Sequence, residues 1–262
     1  MEGRPWISIV ILEYHSVNEL QSLFDSIENN TSLSGIEYII SSNSCYDIST
    51  RNSLIERFPG VKWIFNEKNL GYAGGMNSGL KVANGEILII CNADIKIVNG
   101  LSGMDHYLAS NPDVGAIGPR VVNSSDEIQD SCRPFLTIQG FVLRQLMRLT
   151  GKNLLQKNFD YDTIGEVDWI NGAFIMFKRE IFNKTGGFDS SYFLYAEDMD
   201  LCTRIRILGY KVIYYPRAKI IFNASRNARR SIKYMILFLK SHLRYWRKFG
   251  FFRISYDKKA ES

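Results

Sequence analysis

Two stretches of this 262-residue sequence carry carboxylates at positions that suit catalysis. In the first, the apolar run ILIIC leads directly into Asn92, Ala93 and Asp94. Parallel α/β sheets bind ligands beyond the carboxyl ends of their strands, which is where this tripeptide stands. The Asp94 carboxylate is a hard oxygen donor suited to Mg²⁺ or Mn²⁺, and such a cation neutralises a diphosphate during bond breaking. The simpler alternative is an Asp that assists the turn after the strand.

The second stretch, FLYAEDMD, places Glu197, Asp198 and Asp200 after a group of aromatic residues. A carboxylate held beside an aromatic wall can act as a general base towards a hydroxyl. The alternative is an ordinary acidic first turn of a helix, where carboxylates complement the dipole and Asp200 pairs with Arg204. The aromatic residues are Phe188, Tyr192, Phe193 and Tyr195.

A glycine-rich stretch, NLGYAGGMNSG, runs from Asn69 to Gly79 and opens a predicted helix. Gly71, Gly74 and Gly75 permit close backbone approach, and a helix start offers free N–H groups to an anion or to hydroxyls. The pattern is neither GxGxxG nor GxxxxGKS, so the sequence supports neither a Rossmann dinucleotide site nor a P-loop. Tight packing of the helix explains the glycines without any ligand.

These stretches are positioned by alternating strands and helices. Continuous apolar runs predict buried strands, and segments with helical spacing lie between them. This order predicts an α/β fold with a mainly parallel central sheet flanked by helices. In the second helix, Leu54, Ile55 and Phe58 are predicted to face the core. The predicted strands are 6–12, 36–40, 61–65 and 87–91, and the predicted helices are 18–30, 49–58, 74–83 and one that begins near 198 and continues through Leu208.

Composition narrows the class of protein. Hydrophobic residues make up 45% of the chain, which is enough for a sizeable core. Four scattered cysteines form no CxxC pair and no Cys/His cluster, which argues against a zinc site or a disulfide framework and favours a reducing compartment. We see no signal-peptide pattern and no apolar run near the ~20 residues that span a bilayer, so we expect a cytoplasmic protein.

Basic charge is concentrated in the segment 226–262, where eleven Lys or Arg residues stand against two acids, a balance of +9 in a chain of net charge +5. The segment is typical of a basic amphipathic helix that lies on a membrane surface. Packing on the rest of the chain, or on a second copy in a homodimer, is the alternative. No RRM, KH or helix-turn-helix pattern supports a nucleic-acid partner. The apolar positions at helical spacing are Ile232, Ile236, Leu239, Leu243 and Trp246.

Taken in order, the segments resemble bacterial inverting glycosyltransferases of family 2, in particular the rhamnosyltransferase-like branch. The resemblance covers roughly residues 8–250 and rests on NLGYAGGMNSG, CNAD, VDWINGA, GGFDSSYFLYAEDMDLCTR and GYKVIYYPRA. It implies the GT-A fold in residues 1–225, with a nucleotide-binding half at about 1–98 and an acceptor-binding half at about 99–225. It also implies transfer of a sugar, with rhamnose from dTDP-rhamnose as the best expectation and a UDP-hexose as the next. The implied acceptor is a hydroxyl of a lipid-linked saccharide in cell-surface polysaccharide (O-antigen-type) biosynthesis, on the inner face of the plasma membrane.

The likeness also implies roles for individual residues. Asn92, Ala93 and Asp94 stand for the DxD motif, with Asp94 as the metal ligand that contacts the donor diphosphate. Asp198 is the implied catalytic base, and Glu197 is implied to hold a hydroxyl of the acceptor or sugar. The strip that resembles the lining of the sugar pocket consists of Trp169, Asn171 and Gly172. The other residues expected near the donor are Glu13, Tyr14, Ser42, Asn43, Asn69, Gly74, Gly75, Asn77 and Arg133.

Three departures from the family pattern touch the nucleotide and metal sites. Tyr14-His15 replaces the usual Tyr-Asn after the first strand, and Ser42 replaces the Asp that reads the base. Phe222 or Asn223 takes the place of the histidine that completes the metal site. Phenylalanine cannot ligate a metal and an Asn carbonyl binds Mg²⁺ weakly, so dependence on Mg²⁺ or Mn²⁺ is an open expectation.

Arginine side chains suit phosphate geometry, so Arg133 and the run Arg226, Arg229 and Arg230 are candidates to clamp the diphosphate. Solvated surface charge is the alternative for all four.

A second hypothesis of function is a catalytically degenerate relative that binds saccharide or membrane as a scaffold, which Ser42 and Phe222 favour. Nucleotidyltransferases share the broad fold but carry a glycine-rich loop right after the first strand. Here that place reads LEYHSVNEL, which contains no glycine, so this class is disfavoured.

Overall fold

The computed structural model describes residues 6–30, 35–133, 137–140, 159–223 and 231–251. The strands are β1 (Ile7–Glu13), β2 (Ile36–Ser42), β3 (Lys62–Phe65), β4 (Ile87–Asn92), β5 (Ile95–Asn99), β6 (Val114–Val122), β7 (Cys132–Arg133), β8 (Gly165–Glu166), β9 (Trp169–Ile170), β10 (Phe174–Lys178) and β11 (Lys211–Phe222). The helices are α1 (Val17–Asn30), α2 (Ile48–Arg57), α3 (Gly71–Leu80), α4 (Leu101–Ser110), α5 (Arg179–Thr185), α6 (Glu197–Ile207) and α7 (Ile232–Phe249).

A nine-stranded sheet forms the centre, in the order β3-β2-β1-β4-β10-β6-β11-β5 with β8 paired to β11. Strands β1 to β4 pair in parallel, as continuous apolar runs such as ISIVIL predict. Strand β10 runs antiparallel between β4 and β6, and β5 runs antiparallel to β11. The expected parallel pairing is therefore found in the half of the sheet that leads to Asn92, Ala93 and Asp94. The other half combines parallel and antiparallel strands.

Two hydrophobic clusters cover the two faces of the sheet. Successive residues of β4 alternate between them, with Leu88 and Ile90 in one cluster and Ile89 and Cys91 in the other. Helices α3 and α6 and the C-terminal part of α7 pack on the first face, and α1 and α4 pack on the second. Because the strands β1, β2 and β4 end at one edge, Glu13, Ser42 and Asn92 are brought to that edge together.

Four predicted details are wrong. Helix α3 ends at Leu80 rather than at Ala83. Helix α3 begins at Gly71 rather than at Gly74, because the Asn69 side chain accepts the Gly71 amide at 2.8 Å and organises the chain before the helix. Ile55 is exposed, since α2 turns only Leu54 and the following Phe58 towards the core. Helix α6 ends one residue before Leu208, and that side chain is exposed. None of the described helices combines the length and apolar character needed to cross a bilayer.

Candidate active site

Glu197 and Asp198 begin α6 after a backbone turn of unusual geometry. Tyr195 and Ala196 both have positive φ, 73° and 64°, which is the left-handed region that residues with a Cβ seldom adopt. Each residue in this region costs roughly 1–2 kcal/mol, and such strain concentrates at functional sites. The turn delivers both acids into the first turn of a helix in a buried environment.

Backbone donors hold the Asp198 carboxylate. Its Oδ2 accepts the Gly172 amide at 3.0 Å, and its Oδ1 accepts the Met199 amide at 2.8 Å. Burial raises the pKa of Asp198 above that of an ordinary aspartate, while hydrogen bonds from the Gly172 amide and the Trp169 side chain oppose the rise. A raised pKa means that the carboxylate binds a proton more tightly, which suits a general base.

The neighbouring Glu197 has a different environment. Its side chain is only 5% exposed, and its Oε2 meets no hydrogen-bond partner among the described residues. Burial, and then the nearby charge of Asp198, raise the pKa of Glu197 well above its ordinary value. Burial raises both pKa values, and at Asp198 several hydrogen-bond donors oppose the rise, so Asp198 is the better placed of the two acids to carry the negative charge.

A path of backbone hydrogen bonds joins Asp198 to the strand that leads to Asp94. Gly172 donates to Asp198, and the next residue, Ala173, accepts the Asn92 amide at 3.1 Å. Asn92 is two residues from Asp94. The stretches VDWINGA, CNAD and AEDMD therefore converge at one edge of the sheet.

Asp94 is solvent-exposed in the turn between β4 and β5, yet the surrounding protein still removes enough water to raise its pKa, with the charge of Glu19 adding to the rise. The ladder between β5 and β11 pairs Ile95 with Phe222, so the position of the family histidine lies beside Asp94. The next residue, Asn223, has its side-chain oxygen engaged by the Ser124 amide and hydroxyl, both at 3.0 Å.

These residues offer a cation little beyond Asp94. Within the described residues, no three His, Cys, Asp or Glu side chains are grouped as a metal site. Mg²⁺ is commonly held by one or two carboxylates together with substrate phosphates, so a single exposed carboxylate beside a diphosphate fits such an ion.

Glu13 is the centre of a complete hydrogen-bond network at the ends of β1 and β2. Its carboxylate accepts the Ser42 hydroxyl at 2.5 Å, the Ser44 hydroxyl at 2.9 Å and 3.0 Å, and the Tyr46 hydroxyl at 3.0 Å. The Ser16 amide adds a further bond of 2.8 Å. Glu13 and Ser42, both expected near the donor, are thus fully buried and bound to each other.

An aromatic surface borders this network. Tyr14 is half exposed, and its ring centroid lies 4.5 Å from that of His15, which in turn lies 6.3 Å from that of Tyr46. Flat exposed rings of this kind can stack on a heterocyclic base. Asn43 lies behind the network, where its amide donates to the Gly71 carbonyl at 2.9 Å.

The glycine-rich stretch is explained by close packing. A Cβ at Gly71 would lie 2.1 Å from the Phe193 carbonyl oxygen, and the adjacent Tyr72 amide donates to that oxygen at 2.7 Å. Gly74 packs on Leu70, and a Cβ at Gly75 would lie 2.5 Å from Leu12.

Asn77 clamps α3 to the segment before α6. Its side-chain amide donates to the Phe188 carbonyl at 2.7 Å and to the Ser190 hydroxyl at 3.0 Å, and its oxygen accepts the Phe188 amide at 2.9 Å. The structure thus gives this residue a reason within the fold, and contact with a donor stays a prediction.

The remaining predicted residues lie near β7 and β9, where Arg133 pairs with Trp169 in the ladder. Trp169 is buried, and the Asn171 side chain accepts the Ala173 amide at 2.8 Å, which shapes the turn that presents Gly172. The side chain of Arg133 and all of Arg226, Arg229 and Arg230 lie outside the described residues.

Two residues escaped the sequence analysis. The Tyr72 hydroxyl donates to the Gly172 carbonyl, and burial with the charges of Glu197 and Asp198 raises the pKa of Tyr72. Tyr72 lies inside the stretch NLGYAGGMNSG, which was interpreted through its glycines alone. Glu19 opens α1 and acts on Asp94 across the sheet edge, which spacing along the chain does not indicate.

Comparisons with known proteins identify the family of the chain. The family model described as glycosyl transferase family 2 matches residues 8–186, and glycosyl transferase family group 2 matches residues 147–254. The chain is 25% identical to the N-acetylglucosaminyl-diphospho-decaprenol L-rhamnosyltransferase of Mycobacterium tuberculosis, over 74% of this chain and 69% of that protein. It is 31% identical to rhamnosyltransferase WbbL of Escherichia coli, but over only 38% of this chain and 37% of that protein.

A solved structure supports the fold. A mannosyltransferase from Pyrobaculum calidifontis, in complex with GDP-mannose and Mn²⁺, superposes with a TM-score of 0.62 at 19% identity. The superposition covers 95% of this chain and 66% of that one.

Proposed function

The chain belongs to the family 2 glycosyltransferases and has their GT-A fold, and on that premise we propose that it transfers a sugar from a nucleoside diphosphate to a hydroxyl of a lipid-linked saccharide, with inversion at the anomeric carbon. The product serves cell-surface polysaccharide biosynthesis. Rhamnose from dTDP-rhamnose is the preferred donor, and a UDP-hexose is the next. The mycobacterial relative is named for the transfer of L-rhamnose to a lipid diphosphate saccharide, which supports this choice.

The chemistry needs one base and one departing diphosphate. Asp198 takes the proton of the acceptor hydroxyl, whose oxygen forms a bond to the anomeric carbon from the face opposite the nucleotide. The bond from that carbon to the diphosphate oxygen breaks, and the diphosphate leaves with the electron pair. Glu197, kept protonated by burial, donates a hydrogen bond to a sugar or acceptor hydroxyl.

Asp94 is the residue proposed to hold Mg²⁺ or Mn²⁺ together with the donor diphosphate. Such an ion supplies positive charge that stabilises the leaving diphosphate. The protein's part is to present an exposed carboxylate whose pKa is raised first by loss of water from the surrounding protein and then by the charge of Glu19.

The hydrogen-bonded path from Asp198 through Gly172 and Ala173 to Asn92 carries the proposal, because it ties the proposed base to β4, the strand that leads to Asp94. A thermal-shift screen of nucleotides and nucleotide sugars, with and without Mg²⁺ or Mn²⁺, tests it. A ligand at a hundred times its Kd adds about 2.7 kcal/mol, or roughly 5–10 °C in a chain of this size. We expect dTDP and dTDP-rhamnose to raise the Tm, with the metal-dependent part lost on adding EDTA and in Asp94→Asn.

The same screen decides between donors and against a degenerate scaffold. Stabilisation by UDP instead of dTDP would select the second donor. The locked Ser42 and the aromatic Phe222 favour a relative without turnover, which predicts no stabilisation by any nucleotide and no release of nucleotide from any sugar donor. We place the enzyme at the inner face of the plasma membrane, where lipid-linked acceptors are extended.

A further inference from the structure

Helix α7 is docked on the catalytic part of the molecule through one of its faces. The Ser241 hydroxyl donates to the Leu194 carbonyl at 2.7 Å, and Lys248 reaches the buried Asp200 at 2.6 Å. Tyr245 and Thr203 share a hydrogen bond of 2.8 Å between their hydroxyls. This face therefore contacts both α6 and the segment that precedes Asp198.

A second face of the same helix is apolar and exposed to solvent. Its members recur at helical spacing, so they form a continuous stripe along the helix rather than scattered side chains. Soluble monomers seldom expose such contiguous apolar surface without a partner. This exposed stripe of α7 consists of Ile232, Met235, Ile236, Leu239 and Leu243. Trp246, predicted to continue the stripe, is buried against the domain instead.

The charge of α7 is of one sign. The helix contains no acidic residue, and four exposed basic side chains lie beside the stripe: Lys233, Lys240, Arg244 and Arg247. The Arg244 guanidinium also lies over the Tyr192 ring, 5.9 Å from its centroid. Basic residues next to an apolar helix face are the pattern that binds the interface of an anionic bilayer.

We propose that the exposed stripe of α7 and its four basic neighbours dock the protein on an anionic lipid bilayer. The apolar side chains enter the boundary between headgroups and acyl chains, and the basic side chains contact anionic headgroups. A second copy fits less well, because a symmetric contact through this stripe would bring two basic rows together.

This inference deepens the proposed function and rests on it for its purpose. A lipid-linked acceptor is confined to the bilayer surface, and α7 holds the helix that bears Asp198 through Lys248, Ser241 and Tyr245. Docking through α7 therefore sets the height of the base above the membrane with one rigid element.

Cosedimentation of the purified chain with vesicles tests the proposal. We expect binding to vesicles of phosphatidylcholine mixed with phosphatidylglycerol and much weaker binding to phosphatidylcholine alone, because each basic residue near an anionic surface strengthens binding about fivefold. Ile236→Glu and Leu239→Glu should each weaken binding at least about tenfold.

Ile55→Glu is the matched control. Ile55 is 49% exposed on α2, against 45% for Ile236 and 44% for Leu239, so the same substitution is made at similar exposure on a different surface. Unchanged vesicle binding by Ile55→Glu supports the proposal, and an equal loss overturns it. Circular dichroism melts confirm that all three variants fold.

Other outcomes also decide the question. Absence of vesicle binding by the unaltered chain, or a dimer in solution that Leu239→Glu dissociates while vesicle binding stays unchanged, contradicts the proposal. Vesicle binding needs neither donor nor acceptor, so it can succeed in the same preparation in which nucleotides fail to raise the Tm. The docking surface and the proposed function therefore fail separately.

Discussion

Glu13 and Glu197 are both buried carboxyl groups at the same edge of the central sheet, yet their surroundings differ in completeness. Glu13 accepts hydrogen bonds from three side-chain hydroxyls and one backbone amide. Glu197 keeps an oxygen without a partner in the described structure and lies next to a second acid. Positive φ angles occur beside both acids, at His15 and Cys45 near Glu13 and at Tyr195 and Ala196 before Glu197, so the two sites differ in their hydrogen bonds rather than in their backbone.

The contrast distinguishes a carboxyl group that organises the fold from one that is left available to a ligand. A buried polar group with all its partners fixes local structure, as Glu13 fixes the ends of β1 and β2. A buried acid that keeps one oxygen without a partner is unfavourable in the free protein, and a hydroxyl of a bound ligand is a group that would satisfy that oxygen. In the proposed function, the Glu13 network is a part of the site that is already formed, and substrate completes the hydrogen bonding around Glu197.

The largest expected effect comes from removing the base. Asp198→Asn keeps the shape of the side chain, but its single oxygen can accept only one of the Gly172 and Met199 amides. It cannot take a proton, so kcat for sugar transfer should fall about a thousandfold. Donor affinity should be unchanged, because the proton moves only in the transition state. Nucleotide release measured under saturating donor and acceptor gives kcat, and calorimetry gives the donor Kd.

The exposed Asp25→Asn on α1 is the control for this loss. The pH profile adds an independent readout, since Asp198 must be ionised to act and its pKa is raised. Activity of the unaltered enzyme should therefore fall, on lowering the pH, at a higher pH than an ordinary aspartate would give. A full rate in Asp198→Asn would remove this residue from the reaction.

A smaller effect tests the contact between α3 and the segment that precedes α6. Gly71→Ala should destabilise the fold by roughly 3 kcal/mol, from overpacking against the Phe193 carbonyl and from an unfavourable positive φ. Gly60→Ala is the matched control, because Gly60 also has a positive φ but a Cβ added there would meet no atom within 4 Å, and it should lose only about 1 kcal/mol. Urea unfolding measures both. Equal losses would mean that the approach of α3 to Phe193 is not tight.

Sequence reasoning reached the fold and the two acidic stretches for a common reason. The buried strands read as unbroken apolar runs, and Asp94 and Asp198 follow signals that are local in the chain. The partners that decide what a polar residue does are distant, as with Ser42 and Glu13, which are 29 positions apart, or Asn77 and Phe188, which are 111 apart. The sequence alone therefore could not show whether Ser42 and Asn77 contact a donor or only stabilise the fold.

The boundaries were missed for related physical reasons. Gly71 looks like a loop residue by propensity, yet Asn69 and the Phe193 backbone stabilise a helix that starts there. Trp246 continues the apolar spacing of α7, but the helix divides its apolar residues between the protein and solvent. A single helical stripe could not reveal that division.

The smallest expected effect compares Glu197 and Glu13 directly. Between the ordinary glutamate pKa and the raised pKa of Glu197, the folded protein holds a proton that the unfolded chain has lost, so the free energy of unfolding falls as the pH rises. The slope is about 1.4 kcal/mol per pH unit within that window. Glu197→Gln carries no such proton, so its stability relative to the unaltered chain should improve as the pH rises above the ordinary glutamate pKa.

Glu13→Gln is the contrasting variant, because its NH₂ group would face the Ser42, Ser44 and Tyr46 hydroxyls, which donate to Glu13, and would leave donors without an acceptor, at a loss of about 1–3 kcal/mol. Urea unfolding at several pH values measures both variants. A change in the free energy of unfolding that is positive for Glu197→Gln and negative for Glu13→Gln at neutral pH would support the contrast. The hydrogen bonds of Glu13 would then be complete and those of Glu197 incomplete. If Glu197→Gln were as destabilising as Glu13→Gln, Glu197 would have to be a structural acid whose partner is simply another part of this chain.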